Sequence, residues 1–232
     1  MKRRQFIKTL TAAGFATAYP VHAFNKSSYF ALHPFVQQNP DAVFIMRTNV
    51  PDKHDSSAKR LAAEAFGASV FVPSDANSGF PTSTRIAMKP NLTSRGQWQK
   101  GYTIERSMGV VTDAYFVEGL IESMKGLGLS GEQFSIREVN GDDNLTDGGY
   151  AAMAQRTAAD VQIIKTQAAQ LSIDRVVWRE VRNGVWFRNI PYLWPINAPD
   201  TFLLNISKLK THGMGMTLCA KNLQGSIAAS YQ

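Results

Sequence analysis

Cysteine is nearly absent. Cys219 is the one thiol in 232 residues, so the chain cannot close an internal disulfide or supply the four thiolates of an iron–sulfur cluster. Histidine is scarce as well, and His33, His54 and His212 stand far apart in sequence, without the short ligand spacing of a typical metal site. No apolar run reaches the roughly 18 residues that a membrane-spanning helix needs. Acid is missing from one stretch in particular. Residues 1–23 hold Lys2, Arg3, Arg4 and Lys8 and no Asp or Glu, and setting them aside lowers the formal net charge from +7 to +3. That modest surplus argues against nucleic acid as a partner. What is present, 44% apolar, 19% charged and 10% aromatic, is the composition of an ordinary globular protein.

Residues 1–23 read as an address. A charged start is followed by a mild Ala/Thr/Gly-rich stretch from Thr9 to Tyr19 and by Val21-His22-Ala23, a small-residue cleavage pattern. The pair Arg3-Arg4, followed by Gln5, Phe6, Ile7 and Lys8, resembles the twin-arginine export signal. The resemblance implies handling by the twin-arginine translocation machinery and a mature protein, residues 24–232, working in the periplasm or otherwise outside the cytoplasmic membrane.

Strand and helix signals alternate along the mature chain. Ala42-Val43-Phe44-Ile45-Met46 is a continuous apolar run of the kind found in a strand covered on both faces. Asp55 offers N-cap chemistry to a helix from about Ala58 to Phe66, closed by Gly67. Val70–Val72 and Arg85–Met88 follow as strands. A helix opens at Thr112-Asp113 with Phe116, Val117, Leu120, Ile121 and Met124 at helical spacing. Phe134–Val139 is a strand, residues 150–159 form an Ala-rich helix, and Val161–Ile164 is a strand. Val176–Val181 and Val185–Ile190 predict a hairpin turning at Asn183-Gly184. Thr201–Ile206 is the last strand, and a helix is expected from about Met216 to Leu223. The pattern predicts one α/β domain, a mainly parallel sheet with helices on both faces and an inserted β-hairpin.

In such sheets ligands collect beyond the carboxyl ends of the strands. After Met88 come Lys89, Pro90, Asn91 and Arg95. After Val139 come Asn140, Gly141, Asp142 and Asp143, whose carboxylates suit a hydroxyl or a hard cation. After Ile206 comes the densest group, Lys208, Lys210 and His212, spaced to share one side of an extended chain. Gly213-Met214-Gly215 then leads to Thr217 as a helix N-cap with Lys221 one turn on, a cradle for phosphate or carboxylate. Structural readings stand beside these. A Lys-x-Lys pair also occurs at solvated edges, and Asp142-Asp143 also suits the N-terminal end of the following helix. Cys219 reads as a small core residue. Trp178, Trp186, Tyr192 and Trp194 read as hairpin packing, with a stacking surface as the alternative.

Lys89-Pro90-Asn91, Thr112-Asp113, Asn140-Gly141, Asn205 through His212, Thr217, Lys221-Asn222-Leu223 and Gly225 resemble the domain of unknown function 362 family over about residues 84–225. The resemblance implies that Lys208, Lys210, His212 and Lys221 form a site rather than a solvated edge. Some members carry ferredoxin-like cysteine runs, absent here, so an iron–sulfur cluster would have to come from a partner protein. Members also continue beyond the Lys-Asn-x-x-Gly segment, so the expectation is a chain incomplete at its C-terminus.

The resulting expectation is an exported enzyme binding a small anionic ligand or cofactor. Lys208, Lys210 and Lys221 would neutralise it, with Lys89 and Thr217 contributing to its binding. His212 would be the acid/base, since its reference pKa near 6.5 lets it carry a proton either way, with Lys210 as its catalytic companion. Asn91 and Asn222 would orient, and Asp113 and Asp142 stand in reserve. The alternative is a non-catalytic binding or electron-transfer accessory protein that docks an acidic or iron–sulfur partner. Clustered, partly desolvated lysines with a depressed pKa mark the first, and spread, solvated lysines the second.

Overall fold

The computed structural model describes residues 28–93, 110–139, 143–163, 175–212, 215–217 and 219–228. The export signal, Arg95 and Asp142 lie outside them. The first described element is a strand that the sequence pattern does not announce, β1 (Tyr29–Leu32), followed by a short helix, α1 (Pro34–Gln37), and by α2 (Ser56–Val70). Strands β2 (Phe71–Ser74) and β3 (Phe80–Pro81) flank β1 in an antiparallel sheet. Asp55 caps α2 as expected, its carboxylate accepting from the Ala58 N–H at 2.8 Å. The helix does not stop at Gly67. It continues to Val70, because Gly67 is where α2 meets the Ser123 side chain of the next helix; a β-carbon there would lie 2.6 Å from Ser123 Oγ.

The organising sheet is parallel. Its strands are β4 (Arg85–Pro90), β5 (Phe134–Glu138), β6 (Asp160–Ile163) and, after the antiparallel hairpin β7 (Val176–Glu180) and β8 (Asn189–Leu193), β9 (Thr201–Ile206). Helix α3 (Ala114–Gly126) joins β4 to β5, and α4 (Asp143–Thr146) and α5 (Tyr150–Thr157) join β5 to β6. The spatial order is β6-β5-β4-β9. Successive strands thus step outward from β4 on one side, and β9 then returns to its other flank. The order reverses between β4 and β9, which is the switch point where open α/β sheets leave a crevice at their carboxyl edge.

Strand alternation assigns the faces. Ile86, Met88, Phe134 and Ile136, with Phe202 and Leu204, pack against Val117, Leu120, Ile121 and Met124 of α3. Phe202 also meets Phe30, Phe71 and Phe80, with ring centroids 5.0–6.2 Å apart, which seats the N-terminal sheet on β9. On the opposite face Ala87 packs with Val176, Leu193, Ile196 and Ala228, so that cover comes from the hairpin. Arg137 fastens this layer: it is fully buried, donates from Nε to Trp194 O at 2.7 Å and pairs with Asp160 at 2.6 Å.

Two expectations fail. Among the described residues Ala42–Met46 joins no strand and lies in an irregular, solvent-exposed stretch, with Ile45 91% exposed and Phe44 against the Phe35 ring. Periodicity alone cannot distinguish a buried strand from a short apolar run that no neighbouring strand pairs. The hairpin forms, but Val176 pairs with Leu193 and Glu180 with Asn189, so the second strand begins at Asn189 rather than Val185 and a longer loop replaces the two-residue turn.

Helices α2 and α3 touch most closely at Gly119, where a β-carbon would press into the Arg60 carbonyl and lie 2.7 Å from Ala63 Cβ. Gly119→Ala gains about 1 kcal/mol of helix propensity and forces the helices apart, a strain of about 1–3 kcal/mol. The expected net outcome is a chain about 1 kcal/mol less stable, read from the midpoint of chemical denaturation. A stabilised variant would contradict this packing.

Candidate functional site

The carboxyl ends of β4, β5 and β9 meet around a buried ion pair. Lys89 Nζ lies 2.5 Å from Glu138 Oε2. The same ammonium donates to Pro90 O at 2.7 Å and to Asn222 Oδ1 at 3.3 Å, which uses its three protons. Glu138 accepts in addition from Leu92 N at 3.1 Å and from Val139 N at 2.9 Å. Burial opposes charge on both partners, so the Lys89 amine is held below its usual range and the Glu138 carboxyl above its own, with their attraction working against both shifts.

Asn222 is the joint between this pair and β9. It lies in α6 (Cys219–Asn222) and donates from Nδ2 to Lys89 O and to Asn205 Oδ1, both at 2.8 Å. Asn205 in turn donates to Cys219 O at 2.9 Å. Thr112 closes the switch point from the other side, accepting from Asn91 N at 2.9 Å and donating to Ile206 O at 2.8 Å. Asn91 is buried, and its Oδ1 has no hydrogen-bond partner among the described residues.

Beyond β9 the chain makes a tight antiparallel pair, β10 (Lys210–His212) with β11 (Gly215–Thr217), Lys210 opposite Thr217 and His212 opposite Gly215. Lys210 is half-buried and donates to Val110 O at 2.5 Å. Burial, and then the charge of Lys221, push its amine below the ordinary lysine range; Glu138 pulls the other way and Lys208 adds a smaller push. Lys208 and Lys221 thus both lie within electrostatic reach of Lys210 near the switch point.

The structure therefore brings Lys208, Lys210 and Lys221 together and places His212 at the end of the same short strand. It assigns other tasks to several expected ligand residues. Lys89 has no proton left for a ligand, and the Asn222 side chain is spent on Lys89 and Asn205. Thr217 is no N-cap: it belongs to β11, and α6 starts at Cys219, because Gly215–Thr217 pairs back on Lys210–His212 instead of leading into a helix. Cys219 is exposed, with its sulfur 3.0 Å from Ser207 Oγ, and the inner side of this short helix is taken by Asn222 instead. Asp113 caps α3 through Tyr115 N and pairs with Lys59 at 2.6 Å, so it leaves the reserve. Asp143 opens α4. His33 accepts from Phe35 N in its own turn, and among the described residues no group of three His, Cys, Asp or Glu gathers as metal ligands. Glu138 is the residue that sequence reasoning passes over, and Asn205 and Thr112 enter it only through the family resemblance. The signal for Glu138 is an acid at the last position of a fully buried strand.

These residues fall inside a recognisable unit. A family model described as Domain of unknown function (DUF362) matches residues 86–232. The chain belongs to that family. No curated protein and no solved structure matches the chain. Within the family's span lie the whole parallel sheet except the first residue of β4, the buried pair and the lysine cluster.

Removing one partner of a buried pair strands the other charge, whereas removing both does not. Glu138→Ala is expected to cost about 3–5 kcal/mol of unfolding free energy, and Lys89→Met with Glu138→Leu to recover most of that loss. Urea denaturation of the single and double variants measures both, and equal losses in the two would show that the pair's geometry, not its charge, carries the stability.

Proposed function

We propose that this protein is an enzyme that binds a small anionic ligand or cofactor at the carboxyl edge of its parallel sheet. The observation that carries the reading is the gathering of Lys208, Lys210 and Lys221 at the switch point, with Lys210 half-buried and its amine lowered by burial and by its neighbours. Cations that only dock a partner protein gain little from such crowding and are ordinarily left solvated. Crowded, partly desolvated cations are stabilised by an anion that shares them. In this reading the three lysines neutralise the ligand. His212, whose reference pKa near 6.5 suits proton transfer in either direction, is the acid/base. The buried Lys89–Glu138 pair and Asn222 set the positions of the loops rather than touching the ligand. Asn91, with an unused acceptor, is the residue suited to orient a ligand hydroxyl or amine.

Inorganic phosphate, pyrophosphate and citrate are suitable probes, with thermal midpoint and calorimetry as readouts. At least one is expected to raise the midpoint, since a ligand bound only by the folded state stabilises it, and Lys210→Met is expected to weaken that binding about tenfold, the loss of one charge-assisted contact. The pH dependence has a definite sign. An amine whose pKa is lowered loses its charge at lower pH, so affinity should fall as pH rises toward Lys210's lowered value, before an ordinary lysine near about 10.4 would respond. Binding that ignores Lys210→Met and shows no such fall would remove the site.

Export through the twin-arginine pathway belongs to the same proposal and rests on Arg3-Arg4 and the segment that follows. Replacing both arginines by lysine should leave the full chain in the cytoplasmic fraction, where the unaltered chain is recovered from the periplasm. Equal periplasmic yields would overturn it.

A further inference from the structure

The loop that joins β7 to β8 is folded, not slack. Val181 N donates to Arg188 O at 2.8 Å and Gly184 N to Val181 O at 3.1 Å, which lifts residues 182–187 beyond the last ladder pair, Glu180 with Asn189. Asn183 takes a left-handed backbone with φ 59°, and a β-carbon on Gly184 would strike the Phe187 carbonyl. This defined turn presents three consecutive apolar side chains to water: Val185 and Trp186 are each 89% exposed and Phe187 58%. Arg182 and Arg188 flank them, both exposed and neither in an ion pair among the described residues. Between Arg175 and Pro199 the sequence holds four arginines against one acid, Glu180.

We propose that this loop docks the protein on an anionic lipid surface. Val185, Trp186 and Phe187 enter the headgroup layer, and Arg182 and Arg188 meet anionic headgroups at its rim. Charge complementarity and shape select that occupant. A stable protein interface takes about 800 Å² per partner, more than a three-residue tip offers, whereas a bilayer receives a narrow wedge because its interior is itself the apolar solvent. Tryptophan settles at the membrane interface, and arginines nearby add attraction to an anionic leaflet. The attachment is to a surface only: among the described residues no helix is long and apolar enough to cross a membrane.

The test uses the full chain with vesicles of phosphatidylcholine alone and of phosphatidylcholine mixed equally with phosphatidylglycerol. Co-sedimentation is expected with the mixed vesicles, weakened by salt and about tenfold by Trp186→Ser with Phe187→Ser. Substitution at this exposed tip should leave the thermal midpoint and phosphate binding unchanged, which separates the proposal from the lysine site. Bromine-labelled lipid should quench tryptophan fluorescence, and Trp186→Phe should abolish that quenching while keeping sedimentation. Failure to sediment, sedimentation indifferent to the double substitution, or quenching that survives Trp186→Phe would overturn the proposal. So would a concentration-dependent dimer that the double substitution dissolves, since the tip would then serve a second copy of the chain.

Discussion

The carboxyl edge of the sheet depends on one ion pair that water does not reach. Withdrawing an ammonium and a carboxylate from water costs several kcal/mol per ion, and their attraction repays that only when the remaining donors and acceptors are also satisfied. Lys89 meets that condition with Pro90 O and Asn222 Oδ1, and Glu138 with Leu92 N and Val139 N. Those partners come from three pieces of chain. The pair therefore fixes the turn after β4, the end of β5 and the position of α6 together. Gly225 shows how tightly: a β-carbon there would strike Glu138 Oε1 and lie 2.9 Å from Lys89 Nζ.

This constraint divides the lysines into two kinds. The charge of Lys89 is cancelled inside the protein by Glu138, so Lys89 adds little to the field that a ligand meets. The field at the switch point comes from Lys208, Lys210 and Lys221, which have no acid bonded to them among the described residues. Lys210 is the telling member: its ammonium donates to Val110 O while Lys221 and Lys208 act on it. In the proposed reading a cation among cations favours an anion, because the repulsion that an anion relieves is already present before it binds.

Much of this was legible in the sequence and some of it was not, for physical reasons. The parallel sheet was readable because its strands are short apolar runs bounded by turn residues and alternating with helices, and Asp55 and Asp113 cap the helices they precede. Lys208, Lys210 and Lys221 stand out in the sequence by their charge, and the structure puts Lys208 and Lys221 within electrostatic reach of Lys210. Three things were hidden. Burial of Lys89 depends on Glu138, forty-nine positions away, and no local pattern reports a partner at that distance. The pairing of Lys210–His212 with Gly215–Thr217 has no local signal, since the glycine that opens β11 suits the approach to a helix equally well. Ala42–Met46 has the composition of a buried strand and lacks only a neighbour with a free edge, which composition cannot show.

The hairpin β7–β8 carries the last piece of the logic, because its two ends do opposite things. At its base Val176 and Leu193 cover Ala87, and Trp194 lies between two guanidinium groups, Arg85 at 4.7 Å and Arg137 at 5.8 Å from its ring, so this end is a layer of the fold. At its tip the two-residue alternation stops, and Val185, Trp186 and Phe187 follow one another. Alternation is what a strand uses to hide one face. At the tip no neighbouring element covers the three among the described residues, and they stand exposed. The glycine in this turn, whose added β-carbon would strike the Phe187 carbonyl, fixes the exposed shape, and an apolar tip flanked by Arg182 and Arg188, in no ion pair among the described residues, is matched in the proposed reading by a surface that is apolar within and anionic at its rim.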